Sequence, residues 1–185
     1  MTRRRLLTMA VVTALATGAG GLAVSHDDDH RKKGRRHFKA ALSGFNEAPS
    51  TLSTAAKGSF RAVLQKNETE IRYRLDYRGL EGTVTQAHIH LGAHHQTGGI
   101  SVWLCGTAAL PGPGGTPVCE PGGENGPEAE GVLTMTSVIG PSGQGIAPGE
   151  FEELVRAIKA GVTYVNVHSS LYQPGEIRGQ IKVDD

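Results

Sequence analysis

The clearest signal in this chain is an alternation. Along Glu70-Ile-Arg-Tyr-Arg-Leu-Asp-Tyr-Arg, the apolar Ile71, Tyr73, Leu75 and Tyr77 interleave with Arg72, Arg74, Asp76 and Arg78. Successive side chains of an extended strand point to opposite faces, so this pattern predicts a strand with one buried side. Lys66-Asn67-Glu68 supplies a turn that joins it in a hairpin to the run 58–66. A further run, 38–45, is separated from that hairpin by a stretch rich in Pro, Ser and Thr. Strand patterns recur at 84–91, 100–105, 131–139, 163–168 and 176–183. About eight strands with turn signals between them predict an all-β fold, an antiparallel Greek-key β-barrel or immunoglobulin-like sandwich. One segment has a different period: Phe151, Leu154, Val155 and Ile158 are spaced for one helical face. Acidic residues suit its first turn, Lys159 its last and Gly161 its C-terminal cap, so one short helix is expected over 150–161.

The same arithmetic picks out the histidines. In Gln86-Ala-His-Ile-His-Leu, Ala87, Ile89 and Leu91 share one face, and Gln86, His88 and His90 share the other. In Tyr164-Val-Asn-Val-His, Val165 and Val167 point to the core while Asn166 and His168 point away. In Glu176-Ile-Arg-Gly-Gln-Ile-Lys-Val, Ile177, Ile181 and Val183 face the core, opposite Glu176, Arg178 and Gln180. If the three strands are neighbours, three imidazoles converge with a carboxylate and a guanidinium beside them. Imidazole suits copper and zinc, and three histidines leave one coordination position open. His94 or His95, in the loop 92–99, is placed to supply a fourth ligand. The structural alternative is a solvated sheet face in which Asn166, Glu176 and Arg178 lock a hairpin around Pro174-Gly175, with Glu176 and Arg178 as a same-face pair.

The start of the chain addresses it to a compartment. A charged opening and the apolar, small-residue stretch Met9 to Val24 predict a signal peptide over 1–25, and Thr2-Arg3-Arg4-Arg5-Leu6-Leu7 looks like a twin-arginine export motif. Thr13, Thr17 and several glycines interrupt the stretch, so no membrane span is expected in the mature form. Residues 26–37 contain three acids, five bases and three histidines without an apolar side chain, which predicts a disordered charged arm. Residues 38–185 then form one domain. Loss of Arg3, Arg4 and Arg5 turns 19 basic residues against 18 acidic into 16 against 18, so no overall field favours nucleic acid. Secretion also favours pairing of the two cysteines, Cys105 and Cys119, across a loop of three prolines and four glycines.

Several segments together resemble the CHRD (chordin-type) domain family in its bacterial exported form. They are Phe38-Lys-Ala-Ala-Leu-Ser-Gly-Phe-Asn-Glu-Ala-Pro, Ala87-His-Ile-His-Leu-Gly, Val102-Trp-Leu-Cys, Gly161-Val-Thr-Tyr-Val-Asn-Val-His-Ser and Pro174-Gly-Glu-Ile-Arg-Gly-Gln-Ile. The resemblance implies a β-barrel or immunoglobulin-like sandwich in an extracytoplasmic or cell-surface setting, and carries no agreed catalytic residues. Leu91-Gly92-Ala93-His94-His95 departs from the family's usual wording, where a Gly-Pro pair often follows the His-x-His. No nucleophile elbow, dinucleotide fingerprint, phosphate loop or Cys-x-x-Cys occurs, and copper chemistry of the superoxide dismutase kind rests on fold and ligand analogy alone. Two functions are therefore expected: an exported protein binding copper or zinc through its histidines, or a non-enzymatic module binding an extracellular protein or cell-wall glycan.

Overall fold

The computed structural model describes residues 35–122 and 128–184. The expected signal peptide and residues 26–34 of the expected arm lie outside the described residues. Nine strands form among the described residues: β1 Arg36–Ser43, β2 Lys57–Leu64, β3 Ile71–Arg78, β4 Val84–Leu91, β5 Ile100–Gly106, β6 Ala129–Leu133, β7 Thr163–Ser169, β8 Ile177–Gln180 and β9 Lys182–Val183. Among the described residues the one α-helix, α1, spans Phe151–Lys159. The sheet runs in the order β5-β4-β7-β8-β1-β2-β3-β6, every pairing between these strands is antiparallel, and β9 adds to β1. β7 and β8 enter between β4 and β1, so the chain does not simply meander.

The two edges approach each other. Tyr73 on β3 donates its hydroxyl to the Leu104 carbonyl of β5 at 2.5 Å, and the Ile139 N–H reaches the Ser101 carbonyl at 2.9 Å. An antiparallel, nearly closed barrel results. Its interior takes the alternate residues that the sequence pattern assigns to it, among them Phe38, Phe60, Leu75, Ile89, Val165 and Ile177, each 1% exposed or less. Helix α1 buries Phe151, Leu154, Val155 and Ile158. Gly161, at φ 71°, ends it: its N–H bonds the Ile158 carbonyl and that of Val162 bonds Ala157, the left-handed closure for which glycine carries no Cβ penalty.

Four details depart from the pattern. Strand β1 begins at Arg36, so Arg36 and His37 belong to the sheet and not to a disordered arm, with His37 opposite Val63. The run 38–45 stops at Ser43 and Phe45 is 66% exposed, because Gly44 lies so close to the Leu52 carbonyl and Thr54 that the chain turns there in a short 3-10 helix. The run 131–139 starts earlier, at Ala129, and ends at Leu133, where the Ser137 hydroxyl takes the Thr134 N–H in place of a ladder bond. The run 176–183 divides at Ile181: β8 pairs with β7, and β9 pairs with β1.

Cys105 and Cys119 form a disulfide. Within the loop it closes, the Gly106 N–H bonds the Pro117 carbonyl and the Cys119 N–H bonds the Gly106 carbonyl. A cross-link over this sequence separation of 14 constrains the unfolded chain by about 3 kcal/mol. The double substitution Cys105→Ala and Cys119→Ala is expected to lower unfolding free energy by about 2–4 kcal/mol in urea titration. An unchanged midpoint would show that the loop needs no staple.

Candidate metal centre

Strand β7 is buried along its whole length, on both faces, and β4 is buried from Ala87 to His90. The barrel interior accounts for one face only. The outer face carries His88, His90, Tyr164, Asn166, His168 and Arg178, each 8% exposed or less. Chain segments lie over it, so the polar face is not solvated as sequence pattern alone suggests. Asn46 Nδ2 donates to the Arg178 carbonyl at 3.1 Å, and Arg178 Nη2 donates to the carbonyls of Gln96 at 2.6 Å and Ala93 at 3.3 Å. Water is excluded, and each polar group there needs a partner in the protein.

His88, His90 and His168 each offer a ring nitrogen, and these three nitrogens lie within 4.8 Å of one another. The strand register explains the convergence: His88 stands opposite Asn166, His90 opposite Tyr164 and Gln86 opposite His168 on β4 and β7. Two of the rings are fixed from behind. His90 Nδ1 lies 3.0 Å from the Gly98 carbonyl, and His168 Nδ1 lies 2.8 Å from that of Gln173. A carbonyl only accepts, so Nδ1 carries the proton in both rings and Nε2 presents its lone pair inward. This is how metal-binding imidazoles are commonly held.

His88 completes the set. Its Nδ1 lies 3.1 Å from His168 Nε2, and its ring meets Trp103 edge-on with centroids 4.3 Å apart. Two chemistries fit that separation. His88 Nδ1–H can donate to His168 Nε2. Alternatively, both nitrogens can bind one ion at about 2.0–2.1 Å, subtending roughly 100° at it. The Nε2 atoms of His88 and His90 are buried and have no hydrogen-bond partner. Burial is the largest cause holding all three imidazoles below their ordinary range, His90 down to about 4, so all three remain neutral at pH 7. Neutral imidazole is the form that ligates metal.

The remaining predicted residues have other places. His94 and His95 are exposed, pack against each other with ring centroids 3.9 Å apart, and do not join the cluster. Glu176 and Arg178 share a face but do not pair among the described residues. Glu176 Oε1 takes the Glu81 N–H at 2.7 Å and the Thr54 hydroxyl at 3.2 Å. The Arg178 guanidinium sits 3.5 Å from the Tyr164 ring centroid, and Tyr164 stacks on His90 with the planes 3° apart. Asn166 locks the expected hairpin corner: Nδ2 faces the Pro174 carbonyl, and a Cβ at Gly175, φ 141°, would stand 2.4 Å from it.

Three participants escape a reading by strand pattern: Trp103, Tyr164 and Glu47. Tyr164 shares parity with Asn166 and His168, a signal present in the sequence. Glu47 lies in a turn where no period applies, and it is 7% exposed. Burial pushes its carboxyl up to about 7, against the opposing pull of the Arg178 charge and of hydrogen bonds from Asn166 and the Ala48 backbone. The opening segment that holds Glu47 and the closing segments that hold Asn166 and Arg178 thus meet beside the histidines.

The family model described as CHRD domain matches residues 38–181. No curated protein and no solved structure matches the chain.

Two linkages of opposite sign arise at this face. The three imidazoles titrate lower in the folded chain than in the unfolded one, where 6.5 is ordinary. Their contribution to stability is therefore complete above pH 6.5 and is lost as pH falls. Glu47 is the reverse: its contribution is complete below 4.5 and is lost as pH rises toward 7, a difference of about 3 kcal/mol. Glu47→Gln removes that counterweight. Urea unfolding of the variant is expected to lose stability more steeply than the unsubstituted chain between pH 7 and 4.5. Parallel pH profiles would contradict the assignment.

Proposed function

We propose, from the premise that this chain belongs to the CHRD domain family, that it is an exported protein binding one copper or zinc ion through His88, His90 and His168. The observation that carries the proposal is the convergence of three buried, neutral imidazoles, with Nε2 of His88 and of His90 left without a partner. A buried polar atom without a partner costs about 1–3 kcal/mol. One cation held by His88 Nδ1, His90 Nε2 and His168 Nε2 satisfies the partnerless nitrogen of His90 and takes the place of the contact between the other two rings. The carbonyls of Gly98 and Gln173 hold two rings in the donor tautomer before any ion arrives, so little reorganisation opposes binding.

Nitrogen donors without a carboxylate or thiolate suit copper and zinc better than calcium or magnesium. Three protein ligands leave a coordination position, but a binding role needs no turnover. Both the disulfide and the CHRD domain are consistent with an extracellular place, and the charged, then apolar start of the chain supplies the leader. No helix among the described residues is long and apolar enough to cross a membrane.

The test uses untagged protein passed over chelating resin and then titrated with copper(II) or zinc(II). The unsubstituted chain is expected to retain about one equivalent and to gain roughly 2.7 kcal/mol of stability at a free-metal concentration about a hundred times Kd. His90→Ala and His168→Ala are expected to abolish both retention and stabilisation while keeping the same far-ultraviolet circular dichroism. Equal retention by a folded His168→Ala variant would sink the proposal. Absence of binding by the folded, unsubstituted chain would leave the cluster as a hydrogen-bonded staple and the domain as an interaction module.

A further inference from the structure

A second site lies outside the histidine cluster. A cleft of about 490 Å³ opens on the outer surface of β1, β2 and β9, with His94 and His95 at one side. Its charged lining is Lys39, Arg61, Arg178 and Lys182; no aspartate or glutamate among the described residues lines it, and Asp184 lies at its edge, bonded to Lys39 and near enough to feel the Arg61 charge. The whole chain carries 19 basic against 18 acidic residues, so the absence of acids is local segregation and not a reflection of overall charge.

The strand register shows that this grouping opposes stability. Lys182 stands directly opposite Lys39, Lys39 opposite Arg61, and Arg61 opposite Arg74, a row of four cations across β9, β1, β2 and β3. Like charges directly opposite on neighbouring strands are destabilising. Two of the four are neutralised: Lys39 in the interior of the row by Asp184, and Arg74 at its β3 end by Asp76 at 3.2 Å. Arg61 and Lys182, both exposed, make no ion pair among the described residues. Deeper in, Arg178 is 2% exposed and anchored through the Ala93 and Gln96 carbonyls, so one cation of the lining is immobile before a ligand arrives. Asn46, Ser59 and Gln180 add neutral hydrogen-bonding groups to the wall.

We infer that this cleft binds a saccharide-sized ligand bearing several phosphate or sulfate groups. Arg61 and Lys182 take the oxyanions, the buried guanidinium of Arg178 adds a fixed positive charge beneath them, and the ligand relieves the repulsion built into the row. The volume falls in the range of small-molecule sites, about 300–1,000 Å³. Arg61 and Lys182 flank Lys39 on β1, two strand spacings or roughly 9.6 Å apart, which suits several oxyanions on one ligand better than a single one. Tetrahedral oxyanions also accept several charge-assisted hydrogen bonds at once, which guanidinium supplies in pairs.

Inositol hexakisphosphate and sucrose octasulfate serve as probes, with neutral sucrose as control. Calorimetry at low salt is performed on the full chain stripped of metal on chelating resin, so that no ion bridges probe and protein. At least one anionic probe is expected to bind and sucrose is not; which anion binds tighter distinguishes a phosphate from a sulfate source. The double substitution Arg61→Gln and Lys182→Gln, on exposed side chains, is expected to weaken binding by about tenfold or more. Lys57→Gln, an exposed cation of β2 outside the cleft, should change it by less than about twofold. The inference is overturned if neither probe binds more tightly than about 1 mM. It is overturned equally if the double variant binds like the unsubstituted chain, or if Lys57→Gln costs as much as the double substitution.

Discussion

Everything on the outer face of β4, β7 and β8 depends on one constraint: polar side chains taken out of water there must be satisfied by the backbone of the segments that cover them. Those segments have no ladder of their own to fill, so their carbonyls are available. Gly98 accepts from His90, Gln173 from His168, and Ala93 and Gln96 from Arg178. Each bond acts in two directions. It satisfies a buried donor, and it ties an irregular stretch of chain onto the sheet. Remove the imidazoles or the guanidinium and the cover loses its anchors; remove the cover and the side chains return to water. Covering segments and polar face therefore stabilise each other cooperatively, and the two partnerless imidazole nitrogens are what this mutual arrangement leaves over.

The barrel was legible in the sequence because its signal is periodic. Ile71, Tyr73, Leu75 and Tyr77 read as a buried face and are buried, between 0% and 6% exposed. Helix α1 declares itself by a second period and by its closing glycine. The periods failed where a side chain or a close approach competes with the ladder, at Gly44 and at Ser137. Parity also placed His88, His90, Asn166, His168 and Arg178 on a common side, but it could not report the cover. A strand alternating between apolar and polar residues looks half-solvated, whereas this face is dry because distant, aperiodic segments fold over it. Glu47 was hidden for the same reason. His94 and His95 show the converse error: adjacency in sequence to His90 suggested proximity, and the turn that follows β4 carries them to the rim of the cationic cleft instead.

The two outer sites divide one sheet into unlike environments. Toward β4 the outer face is enclosed, neutral and nitrogen-rich; toward β1, β2 and β9 it is open and positively charged. Arg178 belongs to both, since it packs on Tyr164 beside His90 and also lines the cleft. A cation in that position disfavours protonation of His90, though burial is the larger cause. The boundary between the environments is a single stacked column of guanidinium, phenol and imidazole.

Trp103 gives the arrangement one more consequence. The chain contains a single tryptophan, and its indole meets the His88 ring edge-on at 4.3 Å. All indole emission from this molecule therefore originates one ring away from the centre. A paramagnetic ion or a change in the electronic state of that imidazole alters the emission directly, with no second indole to dilute the response. The protein carries its own optical gauge of the histidine cluster, readable without a label.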